Sequence, residues 1–169
     1  CMYCVNTVCL ALDALKIKFY GKASHASSTP HEGINALDAM VTLFSSVGLL
    51  RQQVKSEARI GGVITKGGTY PNIIPDYSEA LFYVRAASRK YLNEVTVKFK
   101  KCAEGAAIAS GCKFEIDTFE RSMDEMINSP IIGSIIEKNL REVGVKEIMD
   151  TDEFTGSTDY GNVSQVVPS

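Results

Sequence analysis

The stretch LDALKIKFYGK, residues 12–22, alternates apolar and polar side chains along its length. Leu15, Ile17 and Phe19 project from one face, and two lysines and a tyrosine alternate with them on the other. A two-residue period rich in β-branched and aromatic residues is typical of a β-strand that is covered on one face only. The stretch therefore predicts a sheet whose covering layer comes from helices elsewhere in the chain.

Two amphipathic helices are predicted to supply that layer. The first covers residues 34–54 and places its apolar side chains on a single stripe. The second covers residues 89–110, after a good N-cap in Ser88 and before Gly111, which suits the C′ position. Their predicted stripes are Leu37, Met40, Val41, Phe44 and Val47 in the first helix, and Leu92, Val95, Phe99, Cys102 and Ala106 in the second.

Three further strands complete this unit, over residues 58–68, 77–87 and 112–120. The order of elements over residues 12–120 is therefore β-α-β-β-α-β. Two helices on one face of a four-stranded antiparallel sheet form the ferredoxin-like arrangement, so the predicted fold class is α+β. We expect this domain to cover residues 12–121.

The rest of the chain lacks the elements of a complete domain. Residues 122–128 (SMDEMIN) form a polar joint, and Ser129-Pro130 begins a helix that Gly144 ends. A short strand with a loop over residues 146–154, and a loop running into an apolar strand over residues 156–169, are predicted to follow. We expect residues 122–169 to be part of an α/β domain in a longer protein, and residues 1–11 receive no assignment.

Composition restricts the class of protein. The 169 residues are 45% hydrophobic and 22% charged, with a formal net charge of −2. A domain that binds nucleic acid normally carries a basic excess, and a membrane helix needs a longer apolar run than this sequence contains. Five cysteines include one CxxC pair without the second pair that a zinc site requires, so we expect free thiols and a cytoplasmic protein.

Four polar residues are candidates for chemistry. His25 and His31 lie in a loop of small residues, where an imidazole could serve as an acid, a base or a donor to an oxyanion, or could simply face solvent. Asn72 lies in a turn between two prolines and could shape that turn or bind a carboxylate. Arg85 is predicted on the open face of the sheet, as a solvated charge or as a bidentate clamp for a carboxylate.

The acidic and hydroxyl-rich segments carry weaker signals. Asp159 lies in GSTDYGN, residues 156–162, but no GxSxG motif and no nearby histidine support a serine-hydrolase triad. Asp150, Asp152 and Glu153 are typical of a solvated acidic turn. The residues alone therefore give no metal ligand and no complete catalytic set.

Several motifs together resemble a known enzyme family. The chain is similar to the aminoacylase / acetylornithine deacetylase / carboxypeptidase G family of zinc amidohydrolases, and closest to its Xaa-Arg (β-alanyl-lysine) dipeptidase branch. The residues that carry the resemblance are GKASHA (21–26), PHEG (30–33), NALDA (35–39), PNIIP (71–75), YVRA (83–86) and GSTDYGNVS (156–164).

The resemblance implies an α/β catalytic domain with two metal ions, usually zinc, and a ferredoxin-like lid that forms a homodimer. A metal-activated water would attack the amide bond of a dipeptide or N-acyl amino acid, with a basic C-terminal residue implied by the branch. His25 matches the lid histidine that stabilises the oxyanion, often across the dimer. Asn72 and Arg85 match lid positions that contact substrate.

The family's metal ligands, an HxD motif, a Glu pair and a late histidine, are absent from this chain. The resemblance therefore implies that the chain is a fragment and is inactive alone. The alternative hypothesis is a stand-alone ferredoxin-like module for small-ligand binding or dimerisation, in which residues 12–121 fold by themselves and the remainder is not needed.

Overall fold

The computed structural model describes residues 3–150 and 154–168, which form eight strands and four α-helices. The strands are β1 (Tyr3–Val5), β2 (Val8–Cys9), β3 (Ala11–Tyr20), β4 (Arg59–Lys66), β5 (Tyr77–Ala86), β6 (Lys113–Thr118), β7 (Ile148–Asp150) and β8 (Phe154–Gly156). The helices are α1 (Ala36–Leu50), α2 (Arg89–Ser110), α3 (Pro130–Glu142) and α4 (Tyr160–Ser164), with 3₁₀ turns at Pro30–Glu32 and Arg51–Gln53.

A four-stranded antiparallel sheet in the order β4-β5-β3-β6 forms the centre of the molecule, and α1 and α2 pack on one of its faces. We call this unit, residues 11–120, the ferredoxin-like domain. Leu15, Ile17 and Phe19 are buried beneath the helices, as their alternation predicts. The prediction of an α+β fold with a ferredoxin-like sheet is confirmed.

The prediction for α2 is confirmed at both ends and in most of its apolar face, whereas α1 begins and ends inside its predicted range of residues 34–54. The Ser88 hydroxyl accepts a hydrogen bond from the Tyr91 amide at 3.3 Å, and Gly111 ends α2 with a left-handed φ of 74° that glycine adopts without strain. In α1 the predicted stripe is partly wrong, because Val41 is 52% exposed. The buried residues of α1 are Ala36, Ala39, Met40, Leu43 and Val47, since two small alanines turn toward the sheet and let the helix approach it.

The first half of β3 differs from its second half. Ala11–Tyr20 is buried on both faces through Leu15 and alternates only beyond that residue. Next to this half of β3, Leu10 donates its amide to the Gly156 carbonyl at 2.6 Å, and Leu12 pairs with Met123. We call the described residues outside the ferredoxin-like domain, 3–10, 121–150 and 154–168, the second unit. It touches one end of the open sheet face.

The segment before β3, which received no assignment from the sequence, contains two short strands. They pair in parallel with the other end of the chain, β1 with β7 and β2 with β8. Such short strands carry little local pattern, and their partners lie more than 140 residues away in sequence. Asp152 and Glu153 of the predicted acidic turn lie outside the described residues, as do the loop before Phe154 and Cys1 of the CxxC pair, whereas Asp150 is the last residue of β7.

The prediction for residues 156–169 needs a correction. An apolar strand is predicted there, but the structure forms the short helix α4, and Val166 beyond it is 80% exposed. Helix α3 begins after Ser129 as predicted, yet none of its residues is buried. Among the described residues, no helix combines the length and apolarity that crossing a membrane requires.

Candidate functional site

The loop that carries His25 is fixed to the sheet at both of its ends. The Gly21 amide donates to the Asp76 carbonyl at 2.8 Å, directly beside the start of β5. Lys22 and Ile34 then pair through two backbone hydrogen bonds of 2.9 Å, which close the loop at its base. The small residues of this loop therefore present an ordered surface.

His25 is exposed, and its ring orientation is set by its own loop. The backbone amides of Ser27 and Ser28 each lie 3.3 Å from Nδ1, and the Ser27 hydroxyl lies at 3.2 Å. An amide N–H can only donate, so Nδ1 must accept. The neutral imidazole then carries its proton on Nε2, to which no described residue is bonded. The loop thus presents a hydrogen-bond donor to the outside.

The loop with Asn72 lies against the His25 loop. The Ala26 amide donates to the Asn72 carbonyl at 3.0 Å, the Ile74 amide donates to the Ser24 carbonyl at 2.9 Å, and His25 pairs with Ile73. The structure therefore brings two of the three predicted site residues together, although 47 residues separate them in sequence. Nothing in the local pattern signals this pairing.

Arg85 lies elsewhere. It is the ninth residue of β5, whose first residue, Tyr77, follows the anchor of the His25 loop. Eight steps of about 3.4 Å put Arg85 roughly 27 Å from Tyr77 along the strand. As predicted, it projects from the face opposite to the buried residues Phe82 and Val84.

Arg85 borders a cleft of about 260 Å³ between the ferredoxin-like domain and the second unit. Its guanidinium lies 5.3 Å from the centre of the Tyr83 ring, within range of a cation–π contact. Arg59 pairs directly with it across the strands. The cleft is lined by Leu10, Glu57, Arg59, Gly61, Tyr83, Arg85 and Gly156.

On the open sheet face next to the His25 loop, polar side chains form hydrogen bonds with one another. The Tyr77 hydroxyl donates to Glu79 at 2.8 Å, and Thr65 donates to the same carboxylate at 2.8 Å. Burial and the bond to Glu79 raise the pKa of Tyr77 to about 12, so this phenol stays protonated. The bonds from Tyr77 and Thr65 lower the pKa of Glu79. This carboxylate is therefore a bound anion and a poor general base.

The described residues include no group of three or more histidine, cysteine or acidic side chains that could hold a metal ion. His31 is exposed in the 3₁₀ turn Pro30–Glu32, apart from the His25 contacts described above. Cys102 and Cys112 are free thiols.

Comparison with known proteins identifies the family. A family model described as the peptidase dimerisation domain matches residues 12–110. The chain belongs to the M20 peptidase family. The match covers the strands and helices that carry His25, Asn72 and Arg85, so these residues lie in the dimerisation domain of an M20 protein.

Relatives of the M20 chain include characterised hydrolases. It is 43% identical over 155 residues to the Xaa-Arg dipeptidase of Mus musculus, in a match that covers 90% of this chain and 36% of the mouse protein. The human Xaa-Arg dipeptidase matches with the same identity and coverage. A p-aminobenzoyl-glutamate hydrolase from Escherichia coli is 32% identical over 115 residues, which cover 65% of this chain and 24% of that protein. The chain thus spans about a third of the curated dipeptidases that it matches.

A solved structure shares the fold. The aminobenzoyl-glutamate utilization protein from Klebsiella pneumoniae superposes with a TM-score of 0.74 at 20% identity, covering 95% of this chain and 44% of the other. Because the superposition covers 95% of this chain, most of the second unit also has counterparts in that structure.

The sequence-based prediction missed a set of polar residues at the joint between the two units. Asp13 is buried in β3, and Arg89, the first residue of α2, forms an ion pair with it at 2.8 Å. One signal was available, since Asp13 interrupts a run that is apolar on both faces, ALDAL, residues 11–15. A carboxylate at such a position requires a partner when it is buried.

Proposed function

We propose that this chain is the dimerisation lid and part of the catalytic domain of a metal-dependent dipeptidase or amidohydrolase. Its substrate would be a dipeptide or an N-acyl amino acid, and the Nε2–H of His25 would donate to the oxyanion formed at the amide carbonyl. The observation that supports this role is that Nδ1 of His25 accepts hydrogen bonds from two backbone amides. The proton of the neutral imidazole is then on Nε2, which faces away from the loop. A donor of this kind typically contributes about 10²–10³ in rate.

The division of the chain follows from the same proposal. Residues 12–121 would form the lid, residues 122–169 would return into the catalytic domain, and β1 and β2 would belong to that domain as well. M20 enzymes are generally metal-dependent, and we infer zinc from the resemblance. The described residues do not fit a metal site, so its ligands would lie outside them and no step of the reaction is assigned to the metal.

The cleft at Arg85 supports a carboxylate site for the substrate. Arg59 and Arg85 are paired residues of β4 and β5, and both line this cleft, although Arg59 also donates to the Ala58 carbonyl at 2.8 Å. Arginine also matches a carboxylate with two parallel hydrogen bonds. Glu57 lines the same cleft and would favour a basic side chain, in keeping with a substrate that ends in such a residue. Asn72, beside His25, would bind the substrate near its amide bond.

The distance between these residues supports a homodimer. His25 and Arg85 lie at opposite ends of one sheet, too far apart for both to touch one dipeptide from a single copy. One active site could receive both if they come from two copies of the chain. Homodimerisation through the lid therefore accounts for both positions.

The edge strand β4 is the surface best suited to that contact. It forms one edge of the sheet and has no charged residue between Arg59 and Lys66, and its Val63 is 58% exposed. The opposite edge, β6, instead alternates Lys113, Glu115 and Asp117 with its apolar residues. Charged side chains on an edge strand oppose its pairing with another strand, whereas an edge strand without charged side chains can pair more readily.

The test is a pair of substitutions in the full-length enzyme. His25→Ala should lower kcat about 10²–10³-fold with a small change in KM, because the donor acts in the transition state. His31→Ala is the matched control, since it lies in the same loop, and should keep kcat within about twofold. Equal losses in both variants, or full activity of His25→Ala, would contradict the role of His25.

The alternative, a stand-alone binding module, requires only residues 12–121 and does not explain why the chain also forms the second unit. The same assay separates the two, because a binding module gives no metal-dependent hydrolysis in the full-length protein. A cytoplasmic location stays a prediction from the sequence.

A further inference from the structure

The guanidinium of Arg89 binds both chain segments that cross between the ferredoxin-like domain and the second unit. Its Nη1 lies 2.8 Å from Asp13, its Nε lies 2.5 Å from Asp124, and its Nη2 donates to the Met123 carbonyl at 2.6 Å. The backbone amide of Arg89 donates to the Glu125 carboxylate at 2.7 Å. Arg89 thus holds four groups, three of them through the planar fork of its guanidinium, which presents several donors in fixed directions, and the fourth through its backbone amide.

The two crossing segments also bind each other at this point. Leu12 and Met123 form an isolated antiparallel pair with hydrogen bonds of 2.8 and 3.0 Å, and Asp13 follows directly. Asp13 is buried and accepts from the hydroxyls of Thr96 and Ser122. Burial raises the pKa of Asp13, but the hydrogen bonds from Ser122, Thr96 and Arg89 together lower it, so the carboxylate is held as an anion.

Helix α4 binds the same segment from the other side. The Asn162 side chain accepts from the Asp124 amide at 2.6 Å and donates to the Ser122 carbonyl at 3.0 Å. Gln165 donates to the Glu125 carbonyl at 2.7 Å. A Cβ at Gly161 would collide with the Asp124 carbonyl, so glycine permits this close approach. Residues 122–126 are therefore held between α2 on one side and α4 on the other.

We propose that Arg89 and Asn162 are positioning residues that fix the orientation of the ferredoxin-like domain relative to the second unit. Domain hinges are usually a few residues at the ends of elements, and here only two segments, near residues 10–12 and 121–123, connect the units. A buried ion pair adds little net stability compared with apolar packing. It does impose one geometry, because each carboxylate and carbonyl must meet its donor.

In this proposal the GSTDYGN segment, residues 156–162, acts through Asn162, and its hydroxyl groups and Asp159 have no part in it. Asn162 holds the backbone of the joint, and through Arg89 the joint holds α2. Its catalytic consequence rests on the proposed function, since a fixed angle would keep His25 and Arg85 in place relative to the catalytic domain. Its structural content is independent of that function and can be tested without substrate.

The experiment measures residual dipolar couplings of backbone amides in the 169-residue chain. In the wild type, residues 11–120 and the second-unit residues 3–10 and 154–165 should fit one alignment tensor. In Asn162→Ala and in Arg89→Met, the second unit should require a separate, weaker tensor. Amides of residues 123–127 should also exchange with solvent at least tenfold faster, while those of β3 and β5 keep their protection.

The matched control is Arg141→Met, which removes an exposed arginine that also pairs with a carboxylate, Glu137. It should leave the single tensor unchanged. Asn162→Ala keeps the proposal testable if Arg89→Met fails to fold, because both bonds of the Asn162 side chain described above go to residues 122–124 and not into the ferredoxin-like domain. A shared tensor in both joint variants, or separate tensors already in the wild type, would overturn the proposal.

Discussion

The two units of this chain differ in how they bury apolar surface. The ferredoxin-like domain closes a core of its own, in which Phe82 lies 4.8 Å from Phe44 and 4.9 Å from Phe99 between ring centres. The second unit has regular elements but hardly any core, and Ile135 of α3 is 54% exposed. Equally good local signals thus produce a packed domain in one region and exposed elements in the other.

The difference shows that helix signals and burial are separate properties. Both α2 and α3 follow a serine N-cap and carry an apolar stripe, but α2 packs on the four-stranded sheet, whereas α3 contacts the short strand β1 and buries none of its residues. Most of the stability of a helix in a protein comes from packing of its apolar face. We therefore expect substitutions in the ferredoxin-like domain to change global stability, and equivalent substitutions in α3 to have local effects.

The largest contrast is expected for the apolar residues. Phe82→Ala should lower the free energy of unfolding by about 3–5 kcal/mol, because it opens a cavity among three aromatic rings. Ile135→Ala, on the exposed face of α3, should change it by less than about 0.5 kcal/mol. Urea unfolding followed by circular dichroism measures both. A loss of comparable size for Ile135→Ala would show that α3 has a packed partner within this chain.

The next contrast concerns acid sensitivity at the joint. The pKa of Asp13 in the folded chain is lower than its ordinary value of 3.8, so the unfolded chain binds the proton more readily. The stability that Asp13 contributes is therefore complete above about pH 4 and is lost as the pH falls through the folded-state pKa.

Urea unfolding between pH 6 and pH 2.5 should show this loss in the wild type and a flatter profile in Asp13→Asn, which cannot titrate. Asp159→Asn removes an exposed carboxyl from α4 and should retain the wild-type slope. An unchanged slope in Asp13→Asn would mean that other carboxyl groups account for the acid sensitivity.

A smaller contrast is expected between the two N-caps. Ser88→Ala removes a hydrogen bond to the Tyr91 amide and should cost about 1 kcal/mol of global stability. Ser129→Ala removes the equivalent bond to Ile132 but should only fray the first turn of α3, seen as faster amide exchange there. If Ser129→Ala also shifted the urea midpoint by the same amount, the two units would unfold together.

The smallest effect is expected for an exposed ion pair. Arg141 lies 2.6 Å from Glu137, one helical turn before it at the i,i+4 spacing. Arg141→Ala should reduce the helicity of α3 slightly and change the free energy of unfolding by no more than about 0.5 kcal/mol, because solvent screens the pair. A larger loss, measured by the same urea titration, would indicate that α3 is more than a locally stabilised helix.

The fold could be predicted from the sequence where an element packs on one layer only, because its apolar residues then recur with the period of a strand or a helix. The alternation of residues 12–22 and the caps of α2 identify elements whose ends agree with the structure to within a few residues. The short strands β1, β2 and β8 could not be predicted in this way, since two or three residues carry no period. The α1 stripe was misplaced because alanines can face a sheet as closely packed residues while larger apolar side chains face outward.

The sequence indicated which residues are candidates for the site, but it did not indicate how they are arranged in space. His25, Asn72 and Arg85 were selected by residue type, position and family resemblance, and their roles stay proposals. That His25 and Asn72 lie on paired loops, and that Arg85 lies at the far end of the sheet, depends on the order of strands. The position of Arg59 beside Arg85 also depends on the strand order, because the two residues pair between the neighbouring strands β4 and β5.

The sequence by itself determined the periodicity of the strands and helices, the caps at Ser88, Gly111 and Ser129, and the family. These features arise from interactions between residues a few positions apart, which a sequence displays directly. Only the tertiary structure decided the pairing of the His25 and Asn72 loops, the cleft at Arg85 and the joint at Arg89. Arg89 lies 76 residues from Asp13 and 35 from Asp124, and no local pattern records which distant groups will meet once the core has formed.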